Sequence, residues 1–146
     1  MLRGNHPARI DDKGRIKIPN GFRSLIESQY GQELFVTSVT GDYARLYPMA
    51  VWVEIERKLA QVPSTHPSKL RFLDRVNFFG QVVAMDKQGR VVLPQILRES
   101  AAMSGEVSVL GQQNHLAVWN LKRLQDRFKK EPFSDDDGKG LAEYGI

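Results

Sequence analysis

Two arginines in this chain stand in the same chemical setting, 75 residues apart. Arg15 follows Asp11 by four positions, and Arg90 follows Asp86 by four. The surrounding stretches read Asp11-Asp12-Lys13-Gly14-Arg15-Ile16-Lys17-Ile18-Pro19 and Asp86-Lys87-Gln88-Gly89-Arg90-Val91-Val92-Leu93-Pro94. Both are Asp-x-x-Gly-Arg, then apolar-x-apolar, then Pro; beyond them Phe22 meets Leu97 and Arg23 meets Arg98. A self-match of this kind means that one structural unit was used twice. A guanidinium carries a planar fork of N–H donors that suits phosphate oxygens or the O6 and N7 of guanine. It can equally pair with the Asp four residues back and lock a turn. The residue types alone leave both readings open.

The rest of the chemical inventory is thin. His6, His66 and His115 are scattered, without metal-ligand spacing to any carboxylate, and there is no cysteine. No phosphate-cradling Gly-x-x-x-x-Gly-Lys-Ser/Thr, dinucleotide Gly-x-Gly-x-x-Gly or nucleophile Gly-x-Ser-x-Gly occurs. Asp11 and Asp12 are adjacent acids, but the second copy has Lys87 in place of Asp12. No acid–base pair or nucleophile emerges, so an enzyme is not expected.

Basic residues, by contrast, gather at the repeats. Arg3, Arg9, Lys13, Arg15, Lys17 and Arg23 surround the first copy; Lys87, Arg90 and Arg98 surround the second, where Val92 replaces Lys17. Attraction to a polyanion should therefore favour the first unit. The net charge of +4 hides a division. Residues 131–146 hold Glu131, Asp135, Asp136, Asp137 and Glu143 against Lys139 alone, so the tail carries −4 and the body +8. A basic body suggests a polyanionic partner such as nucleic acid. The 41% hydrophobic and 26% charged fractions are ordinary for a soluble globular chain. The absence of cysteine agrees with a reducing cytosol, and no stretch resembles a signal peptide or membrane span. A soluble cytoplasmic protein is expected.

The elements that must position the arginines follow from local pattern. Ala8-Arg9-Ile10 and Val82 to Met85 read as strands, and Asp-x-x-Gly supplies turn chemistry. Arg15 to Ile18 then alternates at the strand period, with Ile16 and Ile18 inward and Arg15 and Lys17 outward; Val91 and Leu93 are their inward counterparts. Pro19 and Pro94 suit the first turn of a following helix, expected over Asn20 to Tyr30 and over Ile96 to Met103. Strands follow at Leu34 to Thr37, Ala44 to Tyr47, Val107 to Leu110 and Leu116 to Trp119. Apolar stripes predict helices carrying Val51, Ile55, Leu59 and Val62, and Leu121, Leu124 and Phe128. Between the units, Ser68 is expected to cap a linking helix whose buried face bears Leu70, Leu73, Val76 and Phe79. The division expected is a first unit over 5–62, a linker helix over 63–80, a second unit over 81–130 and a flexible acidic tail over 131–146.

The doubled Asp-x-x-Gly-Arg…Pro stretch resembles the AbrB/SpoVT swapped-hairpin DNA-binding fold. With the opening Met1-Leu2-Arg3-Gly4-Asn5-His6, the chain is similar to the MraZ family of bacterial transcriptional regulators over roughly residues 1 to 130. The resemblance implies an α+β fold in which the two β-hairpin-helix units form an intramolecular pseudo-dimer, a swapped-hairpin barrel with flanking helices. It implies sequence-specific binding of double-stranded DNA at promoter direct repeats by a ring-like homo-oligomer in the nucleoid. The regulated genes would be the division and cell-wall cluster, including its own promoter. No metal or small-molecule cofactor is implied, nor any membrane. The DNA-contacting set on this reading is Arg15, Lys13, Lys17, Arg3, Arg9, Lys87 and Arg90. An antitoxin-like module that binds a toxin and its own promoter is the alternative, since antitoxins share this fold.

Overall fold

Strand alternation decides which side of the repeated stretch meets water. In the computed structural model, which describes all residues from Met1 to Ile146, Ile16, Ile18 and Leu93 are wholly buried and Val91 nearly so. They lie at the centre of one interior with Leu34, Val36, Leu46, Val109, Leu116 and Val118. That interior is enclosed by a single antiparallel sheet of eight strands, and its topology explains why two copies are needed.

Within the first unit, β1 (Asn5–Ile10) meets β2 (Arg15–Lys17) at only one residue pair, Ile10 with Ile16. Its long partner is β7 (Gly105–Gly111) of the second unit, along six positions. In the reciprocal exchange, β5 (Gln81–Ala84) pairs with β3 (Glu33–Thr37) of the first unit. The motif strands themselves, β2 and β6 (Arg90–Val92), pair with each other. With β4 (Ala44–Pro48) and β8 (Leu116–Asn120), the order is β5-β3-β4-β8-β7-β1-β2-β6. The ends of the sheet, β5 and β6, meet through the second turn, where Asp86 N–H donates to the Arg90 carbonyl at 3.0 Å. The result is a nearly closed barrel of exchanged hairpins, the α+β architecture expected.

Helices complete it. Pro19 and Pro94 occupy the cap position just before α1 (Asn20–Gln29) and α4 (Gln95–Ser100), one residue earlier than the first-turn placement expected. Phe22, Ile26 and Leu97 turn from these helices into the barrel interior. The expected helix over Ile96 to Met103 stops at Ser100, and Ala102 takes a left-handed conformation at φ 51°. The Asn120 amide holds the Ala102 carbonyl there at 2.9 Å.

On the outer face, α2 (Met49–Ala60) lays Trp52 against Phe35 at 4.6 Å between ring centroids. The linking helix α3 (Pro67–Phe78) packs on the same patch through Phe72 and Val76. Two details of α3 differ from the sequence expectation. His66, not Ser68, is the cap, its Nδ1 accepting from Ser68 N–H at 3.1 Å. Leu70 is exposed, because Phe72 takes the place over the sheet. Across the barrel, α5 (Leu121–Lys130) buries Leu124 against Ala117 and Trp119 but leaves Phe128 in solvent. The tail holds an element with no apolar pattern to announce it: α6 (Asp135–Ala142), capped reciprocally by Ser134 and Asp137.

Candidate nucleic-acid interface

Each repeat builds its turn around one carboxylate. Asp11 Oδ1 accepts the N–H groups of Lys13 (2.9 Å) and Arg15 (2.8 Å), and Oδ2 accepts Arg15 Nε at 2.7 Å. Asp86 does the same with Gln88 and Arg90, ending on Arg90 Nε at 2.9 Å. The backbone N–H of the arginine is the largest influence on each acid, followed by slight burial acting in opposition and by the guanidinium bond. It lowers the Asp11 carboxyl below its usual range and brings Asp86 down to about 2. Both acids are therefore ionised at neutral pH, and both arginines are held by the bond that sequence reasoning gave as the turn-locking alternative.

That bond uses only Nε. Neither terminal nitrogen of Arg15 or Arg90 has a hydrogen-bond partner or a second carboxylate within the chain. The guanidinium is oriented by its inner edge while its outer pair of nitrogens stays unengaged. Such a pair is what a bidentate contact to guanine or phosphate requires.

The glycines bring the two turns together. Gly14 and Gly89 take φ of 75° and 76°, a conformation that costs little only without a side chain. Their carbonyls accept from the opposite copy: Gly14 from Leu93 N–H and Gly89 from Ile18 N–H, both at 2.9 Å. Arg98 lies over Gly14, and Arg23 over Gly89, where Arg23 also donates to the Lys87 carbonyl at 3.0 Å. These helix arginines, counted above only as local positive charge, are structural straps.

The β2–β6 register changes how the two copies compare. Arg15 lies opposite Val92, and Lys17 lies opposite Arg90. Lys17 therefore serves both arginines, along its own strand and across the pair, and the charge is pooled on one ribbon. Like charges directly across an antiparallel pair are unfavourable, and an anionic ligand offsets them. Lys13 and Lys87 are exposed in the two turns, and Lys17 is exposed beside them. Arg9 is exposed on β1 and ion-pairs with Glu106 at 3.6 Å. Arg3 lies beyond the far end of β1, whose six residues span about 20 Å. The structure thus gathers Lys13, Arg15, Lys17, Lys87 and Arg90 and leaves Arg3 apart.

An eight-stranded barrel of exchanged hairpins, with its repeated Asp–Arg turns brought onto one ribbon, defines the class: a swapped-hairpin protein of the AbrB/SpoVT kind. The family model described as "MraZ protein, putative antitoxin-like" matches residues 1–75 and 80–142. The chain belongs to the MraZ family. It is 49% identical to the "Transcriptional regulator MraZ" of Acidobacterium capsulatum over 146 residues, covering all of both chains. The protein of the same name from Koribacter versatilis is 48% identical over 147 residues, again covering all of both. That of Coxiella burnetii is 37% identical over 120 residues, covering 82% of this chain and 79% of its own.

Proposed function

We propose that this protein is a sequence-specific DNA-binding transcriptional regulator that reads direct repeats in a promoter as a ring-like homo-oligomer. The targets proposed are the division and cell-wall gene cluster, its own promoter included, with the protein acting at the nucleoid. The observation that carries this reading is the paired arginines, each fixed through Nε with its outer nitrogens unengaged. They stand on a two-stranded ribbon, an element that the major groove admits. The relatives' name supports the regulatory role, and the +8 body supports a polyanion partner.

Several copies on tandem repeats bind with high effective concentration, which offsets the few base contacts one ribbon offers. The test is titration of the promoter region upstream of the gene with the intact protein, followed by footprinting. Protection of evenly spaced repeats, lost on Arg15→Ala, is the expected result; equal binding to unrelated duplex would overturn the sequence-specific reading.

The family's antitoxin-like description keeps one rival in view. Copurification of a stoichiometric toxin from native lysate would favour it.

A further inference from the structure

Opposite the motif ribbon, α5 and the outer face of β4 and β8 enclose a groove of about 380 Å³. At its floor Arg45 is half-buried and makes no ion pair. Its Nε and Nη2 donate to the Tyr43 hydroxyl (2.9 and 2.6 Å), and Nη1 donates to the Tyr47 hydroxyl at 3.2 Å. His115 stacks on Tyr47 at 4.6 Å and is neutral at pH 7, because burial and then the Arg45 charge push it down to about 4. Arg127 stands over Trp119 at 5.3 Å on the wall, and Phe128 forms an exposed apolar rim, 62% accessible. No acidic residue lines the groove. Arg45 is a rigidly held cation, partly removed from water, whose only partners are two tyrosine hydroxyls; they favour its charged form, and with no anion supplied by its own fold the charge is left for a partner's carboxylate to pair.

The same chain carries an acidic element with the opposite deficit. α6 has eight residues, two of them glycine, and none of them is buried. Isolated helices shorter than about 12–15 residues are marginal in water, and an interior glycine costs roughly 0.5–1 kcal/mol more. Yet the sequence equips it with a full capping box, Ser134 N–H to Asp137 Oδ2 at 2.9 Å and Asp137 N–H to Ser134 Oγ at 3.1 Å. Asp136 and Glu143 are seven apart and so share one face, with Gly140 between them and Tyr144 beside them. The helix Cβ position at Gly140 meets nothing within 4 Å, so this face can approach another surface closely. Phe133, Tyr144 and Ile146 are all more than 70% exposed. A capped, acidic, glycine-faced helix with unburied aromatic ends is formed to lie on something basic and partly apolar.

We propose that α6 of one copy docks in the Arg45 groove of a second copy, setting Asp136 and Glu143 against Arg45 and Arg127 and an aromatic end against Phe128. The groove of the same chain is the less suitable host. Glu131 closes the last turn of α5 on Arg127, by N–H to carbonyl at 2.8 Å and by an ion pair at 3.3 Å, and none of residues 132–146 beyond it lines the groove. The inference does not rest on DNA binding, and it gives the proposed oligomer one named contact.

The absence of cysteine provides a clean test in the full-length protein. Gln112→Cys on the groove wall, a residue with no side-chain hydrogen bond, and Leu141→Cys on the tail are made in separate chains, mixed and mildly oxidised. The expected product is a disulfide between the two variants, in clear excess over either self-linked pair. Adding Asp136→Lys and Glu143→Lys to the tail variant, where no body contact can be disturbed, should reduce it several-fold. A mixed disulfide no more abundant than the self-linked ones, or indifferent to tail charge, overturns the proposal. So does an intrachain disulfide in the doubly substituted chain whose yield is independent of concentration, which would give the groove to its own tail. Light scattering on the same samples separates the cases: multimers without the cross-link leave the oligomer standing and this contact refuted.

Discussion

A guanidinium held by one nitrogen and unengaged at two acts differently from one that is fully paired. Arg15 and Arg90 are both of the first kind, and the β2–β6 register places Lys17 within reach of either. Sequence reasoning ranked the first unit above the second on its larger basic set, with Val92 where Lys17 stood; the strand pairing sets Lys17 opposite Arg90 and takes away that part of the ranking. Arg15→Ala and Arg90→Ala are therefore expected to weaken operator binding comparably, each by about 1–3 kcal/mol or roughly 5–150-fold per ribbon. Titrations at several salt concentrations check this, since a lost phosphate contact also flattens the salt slope. Retention of wild-type affinity by both variants would reduce these arginines to turn locks. A second prediction concerns His115, whose folded pKa is lowered from 6.5 to about 4 by burial and by Arg45. Between those values the unfolded chain binds more protons, so this contribution is complete above about 6.5 and is lost as pH falls toward 4. Urea titrations at pH 4.5 and 7 should differ less for His115→Phe, which keeps a ring on Tyr47, than for the natural chain. An unchanged pH dependence would show that His115 does not carry it. The spacing of Asp and Arg was legible in the sequence. Which guanidinium nitrogen the Asp engages was not, because that depends on turn geometry.

At the scale of elements, strands were more legible than helix faces. Ile16, Ile18, Val91 and Leu93 point inward as alternation requires, since a strand has only two sides. A helical stripe names a face without saying where the sheet beneath it ends. That is why Leu70 and Phe128 lie outside the packed area although their spacing suits burial. The α6 helix was illegible for another reason: its stabilising signal is a cap, and two glycines and three aspartates argue against helix by propensity. The turns admit a sharper test. At Gly14 a Cβ would meet Arg98 Cζ at 2.4 Å, in a left-handed backbone at φ 75°. Gly14→Ala is expected to cost about 1–2 kcal/mol for the backbone alone, with the displacement of Arg98 in addition. Urea midpoints compared with Gly21→Ala, where a Cβ meets nothing within 4 Å, separate this strain from general helix or glycine effects. Equal midpoints for the two variants would show that the turn tolerates a side chain.

For the whole molecule, the repeat shows in the sequence that one unit occurs twice, but the pseudo-dimer and its exchange of strands came from the resemblance and not from hydropathy. Nothing in the pattern of Asn5–Ile10 says that its partner is Gly105–Gly111 rather than the strand next to it. Light scattering at micromolar concentration should return a mass several times that of one chain. A monomer would remove the multi-copy half of the proposed function and leave the ribbon's chemistry intact.

The strand exchange also sets a clock. During synthesis β1 leaves the ribosome first, yet its long partner lies about 100 residues downstream, and at 5–20 residues per second that is a wait of roughly 5–20 s. For most of that interval the first turn has neither Leu93 to bond its glycine carbonyl nor Arg98 to cover it. A nascent chain therefore has no ribbon to offer DNA until the second motif has been made, and the barrel behind that ribbon closes only when β7 and β8 follow.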